Sequence, residues 1–291
     1  IPEKLRNRTP AGISTDTRSV YPGDVFFGIR GERFDGGGFA GRALESGAIL
    51  AVVNVSSALD LSENAPVARV PDTVIALGKA ARDYRSYFRG PVVAVTGSNG
   101  KTTVKEMLRA VLGTRFRVHA TGGNLNNQIG LPLCVFGLDR VHECAVFELG
   151  MSAPGEIGYL AEIAQPDIGI ILNAGSGHME FFKSIEAVAD AKTELLDSLP
   201  RGGTAIINGD DPLLRAREKR GCCKIVRFGI DSPADFRAEN INLGADGRAS
   251  FRIGKYGIDL RIQGRHSVYN ALAAWSAGSV MGLDEERMVE A

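Results

Sequence analysis

The sequence predicts an α/β protein in two parts. A small N-terminal α/β domain precedes a larger one built on a mostly parallel, P-loop-type sheet with flanking helices. Three observations carry this reading. Short apolar runs alternate with segments of helical period along most of the chain. Gly90-Pro91, in "FRGPVV", punctuates that alternation and divides the chain into residues 1–89 and 90–291. The run "VVAV" leads through a glycine-rich knot, "TGSNGKTT", into a helical pattern, which is the strand–loop–helix order of a phosphate-binding loop.

In the first part, "DVFFGI", "AILAVVN" and "PVARV" read as strands, and "FAGRALESG" and "DTVIALGKAARDYRSYF" as helices. In the second part "VVAV" has the continuous apolar character of a strand buried on both faces. Val104, Met107, Leu108, Val111 and Leu112 recur at helical spacing, and Gly113 is placed to cap that helix. "CAVFELG" is a second buried strand, and "PGEIGYLAEIAQ" a helix with Pro154 near its first turn. "DIGIILN" is a third strand, "SIEAVADAKTELLDSL" a helix and "GTAIING" a fourth strand. Such βαβα order argues for parallel pairing. Near the end, "FRAENINLGADGRASFRIG" reads as a hairpin and "HSVYNALAAWSAGSVMG" as a helix.

Composition narrows the function classes. Thirty-four basic residues balance 34 acidic ones, so nothing predicts a polyanion partner, and nucleic acid is disfavoured as the main ligand. No apolar run approaches the roughly 20 residues of a membrane span, and "IPEKLRNRTPAG" lacks the apolar core of a signal peptide, so a soluble cytoplasmic protein is expected. Cys134, Cys144, Cys222 and Cys223 form no C-x-x-C pair and read as reduced, structural thiols.

The knot spans Gly97, Ser98, Asn99, Gly100, Lys101, Thr102 and Thr103, with Thr96 just before it. Glycines let backbone N–H groups turn toward a phosphate, and the helix N-terminus adds partial positive charge. Lys101 supplies a full charge for the β/γ-phosphates, and the Thr102 hydroxyl can hold Mg²⁺. Val95 stands where the longer form of this loop has its first glycine. ATP is therefore the expected cofactor. Glu148 closes the strand "AVFELG" at the sheet edge where α/β ligands sit, and can complete a Mg²⁺ shell; a solvated loop acid is the alternative. His178 and Glu180 lie in "NAGSGHME", leaving the same edge. Lys192 falls in the middle of the apolar stripe Ile185, Val188, Ala189, Leu195, Leu196 and Leu199. Burial would lower its pKa and leave a neutral amine able to add CO₂, forming a carbamate that binds a second Mg²⁺. Snorkelling to solvent is the alternative for that lysine.

Together these stretches resemble the Mur ligase family of peptidoglycan synthesis. The matching strings are "STDTRSVYPGDVFFGIRGERFDG", "VVAVTGSNGKTTVKEML", "ATGGNLNNQIGLPL", "FELGMSAPGEI", "HMEFFKSIEAVADAKTELL" and "GRHSVYNALAA". "GERFDG" and "GNLNNQIGLPL" are most like the member that joins D-Ala-D-Ala to UDP-N-acetylmuramoyl-tripeptide. The resemblance implies an ATP-dependent amide ligase working through an acyl phosphate, acting as a monomer without membrane insertion. It gives Lys101, Glu148, His178 and Lys192 catalytic roles, and places two Mg²⁺ on Thr102, Glu148, His178 and a carbamylated Lys192. His266 and Asn270, four apart on one helix, match adenine-side contacts. Asn126 and Asn127 match the cleft near the muramoyl peptide, and Ser14, Thr15, Asp16 and Arg18 match the uridine nucleotide segment. Residues 1–89 would then be the UDP-substrate-binding domain and 90–291 the ATP-binding domain. A third, C-terminal ligase domain is expected to be absent from this chain, leaving it inactive alone. Gly37 and Gly38 depart from the family's common His-Asp pair. A sister Mur-type or folylpolyglutamate-type ligase and a non-catalytic nucleotide-binding module remain as alternatives.

Overall fold

The computed structural model describes residues 9–31, 34–175 and 181–291. The chain divides into two compact units, one ending at Arg85 and the other beginning at Ser86. Among the described residues no helix is long and apolar enough to cross a membrane.

In the first unit the order is β1 (Ile13–Ser14), β2 (Val25–Phe27), α1 (Ala40–Glu45), β3 (Leu50–Asn54), β4 (Val67–Val70) and α2 (Thr73–Arg85). The four strands form one parallel sheet in sequence order. Its core is small: Phe26, Ala51 and Val53 meet Ala40 and Ala43 of α1. The alanines of "AGRALE" let that short helix lie close to β3.

The second unit continues with β5 (Val92–Thr96), α3 (Lys101–Gly113), β6 (Val118–Ala120), α4 (Gly130–Phe136), β7 (Cys144–Glu148), α5 (Glu156–Ala164), β8 (Ile168–Ile171), α6 (Ile185–Ser198) and β9 (Thr204–Asn208). It then runs through α7 (Pro212–Arg215), β10 (Lys224–Gly229), β11 (Phe236–Arg237), β12 (Glu239–Leu243), β13 (Arg248–Ile253), β14 (Tyr256–Gln263), α8 (Arg265–Val280) and α9 (Glu285–Glu290). Seven strands make a parallel sheet in the order β11-β10-β9-β8-β5-β7-β6. Strand β5 sits between β7 and β8, so the chain order reverses there. The carboxyl ends of β5, β7 and β8 therefore open the crevice where doubly wound sheets bind ligands.

The period of two sorts side chains between the sheet's faces. Val93, Val95, Ile168 and Ile170 join the core under α3 and α8, with Val104, Leu108, Leu112, Val268, Leu272 and Trp275. Gly169, one residue out of phase, faces α6, where an added Cβ would lie 3.0 Å from Leu195. Both faces are thus covered, as the wholly buried β5, β7 and β8 require.

Several local expectations shift. Helix α3 is capped by Thr114, and Gly113 is its last helical residue. Pro154 lies outside α5 because Gly155, at φ +85°, takes the N-cap. The hairpin β12–β13 gains β14 as a third antiparallel strand. The short pieces β6, α4, α7, β10 and β11 are additions to the sequence reading. Pro132 sits in the first turn of α4, where a missing N–H costs nothing.

Asp210, just after β9, joins three elements. Its carboxylate accepts the N–H groups of Ile230, Asp231 and Ser232 at 2.6, 3.0 and 2.6 Å, and the Tyr269 hydroxyl at 2.9 Å. Burial works against the charge, but these donors outweigh it and hold the carboxyl at about 2. A depressed folded-state pKa adds stability that is present above the ordinary value of 3.8 and lost as pH falls toward 2. Asp210→Ala is expected to lose roughly 2–4 kcal/mol in denaturant unfolding at neutral pH, and much less at pH 2. An equal loss at both pH values would contradict the carboxylate's role.

Candidate functional site: a phosphate-binding loop

Strand β5 delivers the loop Gly97–Gly100 to the crevice. Gly100 has φ +88°, a region closed to most side chains, and it turns the chain into α3 with no side-chain cap on the helix. The first-turn N–H groups of a thirteen-residue helix therefore point into the crevice, a ready anion site. An added Cβ at Gly100 would lie 2.5 Å from Asn270 Oδ1, so the buried Asn270 amide rests against the loop.

Asn173, directly beyond β8, fixes the loop's shape. Its carbonyl accepts Ser98 N–H at 3.1 Å and its Oδ1 accepts Asn99 N–H at 3.0 Å. Its Nδ2 donates to Asn99 O at 3.1 Å. Ser98 Oγ donates to Gly175 O and accepts Gly175 N–H. Lys101 Nζ donates to Gly97 O at 2.8 Å. Burial lowers the Lys101 pKa, and the Glu148 charge opposes that shift.

Glu148 ends β7 and is 2% exposed. Its Oε2 accepts the Thr102 hydroxyl at 3.0 Å, and its Oε1 accepts Asn126 Nδ2 at 2.8 Å. Its own N–H goes to Thr121 Oγ1 at 2.9 Å. A nearly buried carboxylate held by neutral donors, beside a threonine hydroxyl at a phosphate loop, is the oxygen donor set that Mg²⁺ takes. The residues present fit that ion.

Lys192 is 2% exposed, so it does not snorkel, and its amine has no hydrogen-bond or ion-pair partner among the described residues. Burial, reinforced by the Lys101 charge, brings its pKa down to about 7. His178 and Glu180 lie outside the described residues.

The other sequence candidates are placed as follows. Thr96 is wholly buried and its hydroxyl donates to Leu149 O at 3.0 Å, tying β5 to the end of β7. Thr103 is exposed at the start of α3. Asn127 lies just before α4, its Oδ1 accepting the N–H groups of Ile129 and Gly130 at 3.1 and 2.8 Å. His266 is exposed and curls over Gly264, one turn from Asn270 on α8. Ser14, Thr15, Asp16 and Arg18 share one turn of the first unit. There Asp16 accepts Arg18 Nε at 3.0 Å on each oxygen, and the Arg18 guanidinium is the main reason its carboxyl falls to about 2. The sequence reading missed Asn173, Thr121 and Glu194. Glu194 accepts Gly155 N–H at 2.7 Å and Gly158 N–H at 3.0 Å, joining α6 to the start of α5. Its only signal was its place two residues after Lys192.

The parallel sheet, the loop and the carboxylate at the neighbouring strand's end define a P-loop nucleotide-binding protein. The Mur ligase middle domain matches residues 95–278, and the catalytic domain of the Mur ligase family matches residues 10–85. The chain belongs to the Mur ligase family. The UDP-N-acetylmuramoyl-tripeptide–D-alanyl-D-alanine ligase of Bacillus subtilis is 41% identical over 279 residues, 94% of this chain and 60% of that protein. A crystal structure of MurF from Acinetobacter baumannii superposes with a TM-score of 0.87 at 33% identity, covering 96% of this chain and 61% of that one. MurF ligase from Thermotoga maritima, in complex with ADP, gives a TM-score of 0.85 at 30% identity, covering 96% and 66%. The chain thus spans about 60% of the length of the curated relatives it matches.

The buried amine of Lys192 predicts its own test. With a folded-state pKa below the unfolded value, the protonated form carries a stability cost. That cost is full below pH 7 and fades as pH rises toward 10.5. In carbonate-free buffer Lys192→Met should gain roughly 2–4 kcal/mol at pH 7 and clearly less at pH 10, read by guanidinium unfolding. No gain at pH 7 would show that the amine is not desolvated.

Proposed function

We propose that this protein is an ATP-dependent amide ligase of peptidoglycan precursor synthesis, joining D-Ala-D-Ala to UDP-N-acetylmuramoyl-tripeptide in the cytoplasm as a monomer. The observation that carries the reading is the buried Glu148 carboxylate against Thr102 at the mouth of the phosphate loop. The relatives' shared name supplies the substrates. In this reading residues 1–89 bind the UDP substrate and residues 90–291 bind ATP.

ATP, with Mg²⁺, would supply a phosphoryl group to the tripeptide's terminal carboxylate, and the dipeptide's amine would displace phosphate from the resulting acyl phosphate. The chain's own residues position and neutralise charge, which is most of what phosphoryl transfer asks of a protein. The N–H groups opening α3 would hold phosphate oxygens. Lys101 would exchange the Gly97 carbonyl for the γ-phosphate. Thr102 and Glu148 would hold one Mg²⁺, with Asn126 keeping the carboxylate turned toward it. His178 and Lys192 would serve the second ion, Lys192 as a carbamate. The buried amine with a pKa of about 7 supports that modification, because the neutral amine is the form that adds CO₂. Asn270, buried beside Gly100 with no hydrogen-bond partner among the described residues, is free to bond the nucleotide.

The test is ADP release by protein made from its natural gene, with UDP-muramoyl-tripeptide, with and without D-Ala-D-Ala. Release that needs both substrates is expected. Release with a different amine acceptor would move the assignment to a sister ligase. ATP binding without release under any pairing would favour a nucleotide-binding module.

A further inference from the structure

One buried charge has no part in the site described so far. Lys105 lies in α3, four residues after Lys101, and is 2% exposed. Its Nζ donates to Thr121 O at 2.9 Å and pairs with Glu106 Oε1 at 3.0 Å. Removing an ammonium from water costs several kcal/mol, and a single carbonyl and one half-exposed carboxylate offset only part of it. A leucine would fill the same space at no such cost.

What the lysine touches accounts for its presence. Thr121 is the residue at which the chain leaves β6, a three-residue strand at the edge of the sheet. Its hydroxyl accepts the N–H of Glu148 at 2.9 Å. Thr102 and Lys105 are three apart, on one face of α3. The first bonds the Glu148 carboxylate and the second bonds the carbonyl of Thr121. A closed ring results: Thr102 to Glu148 Oε2, Glu148 N–H to Thr121 Oγ1, Thr121 O to Lys105, and back along the helix. Beyond Thr121 the chain turns through Gly122 and Gly123 to Asn126, whose amide holds Glu148 Oε1 at 2.8 Å and whose carbonyl accepts Gly150 N–H at 2.8 Å.

We propose that Lys105 is a positioning residue for the nucleotide site. By anchoring the Thr121 carbonyl to α3, it fixes the segment 121–126 and, through Thr121 and Asn126, the direction in which the Glu148 carboxylate faces the phosphate loop. The charge is kept because a fixed, doubly held carboxylate binds a divalent cation better than one free to rotate. This rests on Glu148 acting as a Mg²⁺ ligand.

The experiment measures ATP binding by calorimetry across a Mg²⁺ series, on protein made from its natural gene, with thermal midpoint and Glu148 amide exchange read in parallel. The variants are Lys105→Met, Lys105→Arg and Thr121→Val. Lys105→Met and Thr121→Val should each raise the half-saturating Mg²⁺ concentration about tenfold and speed exchange of the Glu148 N–H by more than tenfold. ATP binding without Mg²⁺ should stay within twofold, and Lys105→Arg should recover part of the Mg²⁺ affinity. A lower thermal midpoint with an unchanged Mg²⁺ requirement would overturn the proposal and leave Lys105 as a structural staple. If Lys105→Met does not fold, Thr121→Val decides alone, and an unchanged Mg²⁺ requirement in it overturns the proposal equally. Wild-type ATP binding that ignores Mg²⁺ would instead remove the Glu148 reading, and the proposal with it, before any variant is compared.

Discussion

The site depends on a single carboxylate that is buried and has no ion-pair partner among the described residues. Glu148 is reached by Thr102 from the helix, by Asn126 from the turn beyond β6, and by Thr121 along its own backbone. Two neutral donors, the Thr102 hydroxyl and the Asn126 amide, hold its oxygens, and the Thr121 hydroxyl accepts its backbone N–H, with no ion-pair partner for its charge among the described residues. In a low-dielectric surrounding, that arrangement favours a divalent ion over a neighbouring ammonium. Lys101 is close enough to feel the charge but bonds to Gly97 instead.

Beside that carboxylate stands Lys101, whose charge in turn reaches the buried Lys192. Lys101 and Lys192 both have lowered pKa values, chiefly through burial, and the Lys101 charge further depresses that of Lys192. With a whole domain stable by only about 5–15 kcal/mol, two desolvated amines are a substantial cost. Sites that keep such groups do so for the ligand they receive, and perturbed amines grouped in one crevice mark function more often than structure. The helix N-terminus of α3 adds to the field of Lys101, so a phosphate at the loop meets positive backbone and side-chain charge beside the negative Glu148 carboxylate.

Much of this was legible in the sequence because it rests on local pattern. The continuous apolar runs of β5, β7 and β8 announced a sheet buried on both faces, and the knot at Gly97–Thr103 announced its phosphate loop. Glu148 was found from its place at a strand end, and Lys192 from its place in an apolar stripe. What escaped was set by tertiary contact. Asn173 looks like any strand-ending asparagine until β8 and β5 are neighbours. Thr121 and Lys105 meet only because an edge strand of three residues ends beside α3. Pieces as short as β6, α7 and β11 have too few residues to show a period. Asn127 was named for the substrate cleft, and the bonds its side chain makes to the N–H groups of Ile129 and Gly130 at the start of α4 were not foreseen.

The central claim is that Glu148 stands where it does to hold a divalent cation for the nucleotide. Glu148→Gln tests it most directly, since the amide keeps the shape and removes the charge. Calorimetric titration of ATP into wild type and variant, with and without Mg²⁺, gives the answer. The account predicts that Mg²⁺ strengthens ATP binding to the wild type at least tenfold and leaves the variant nearly indifferent, with the two equal in the metal's absence. A variant that gains as much from Mg²⁺ as the wild type would contradict it.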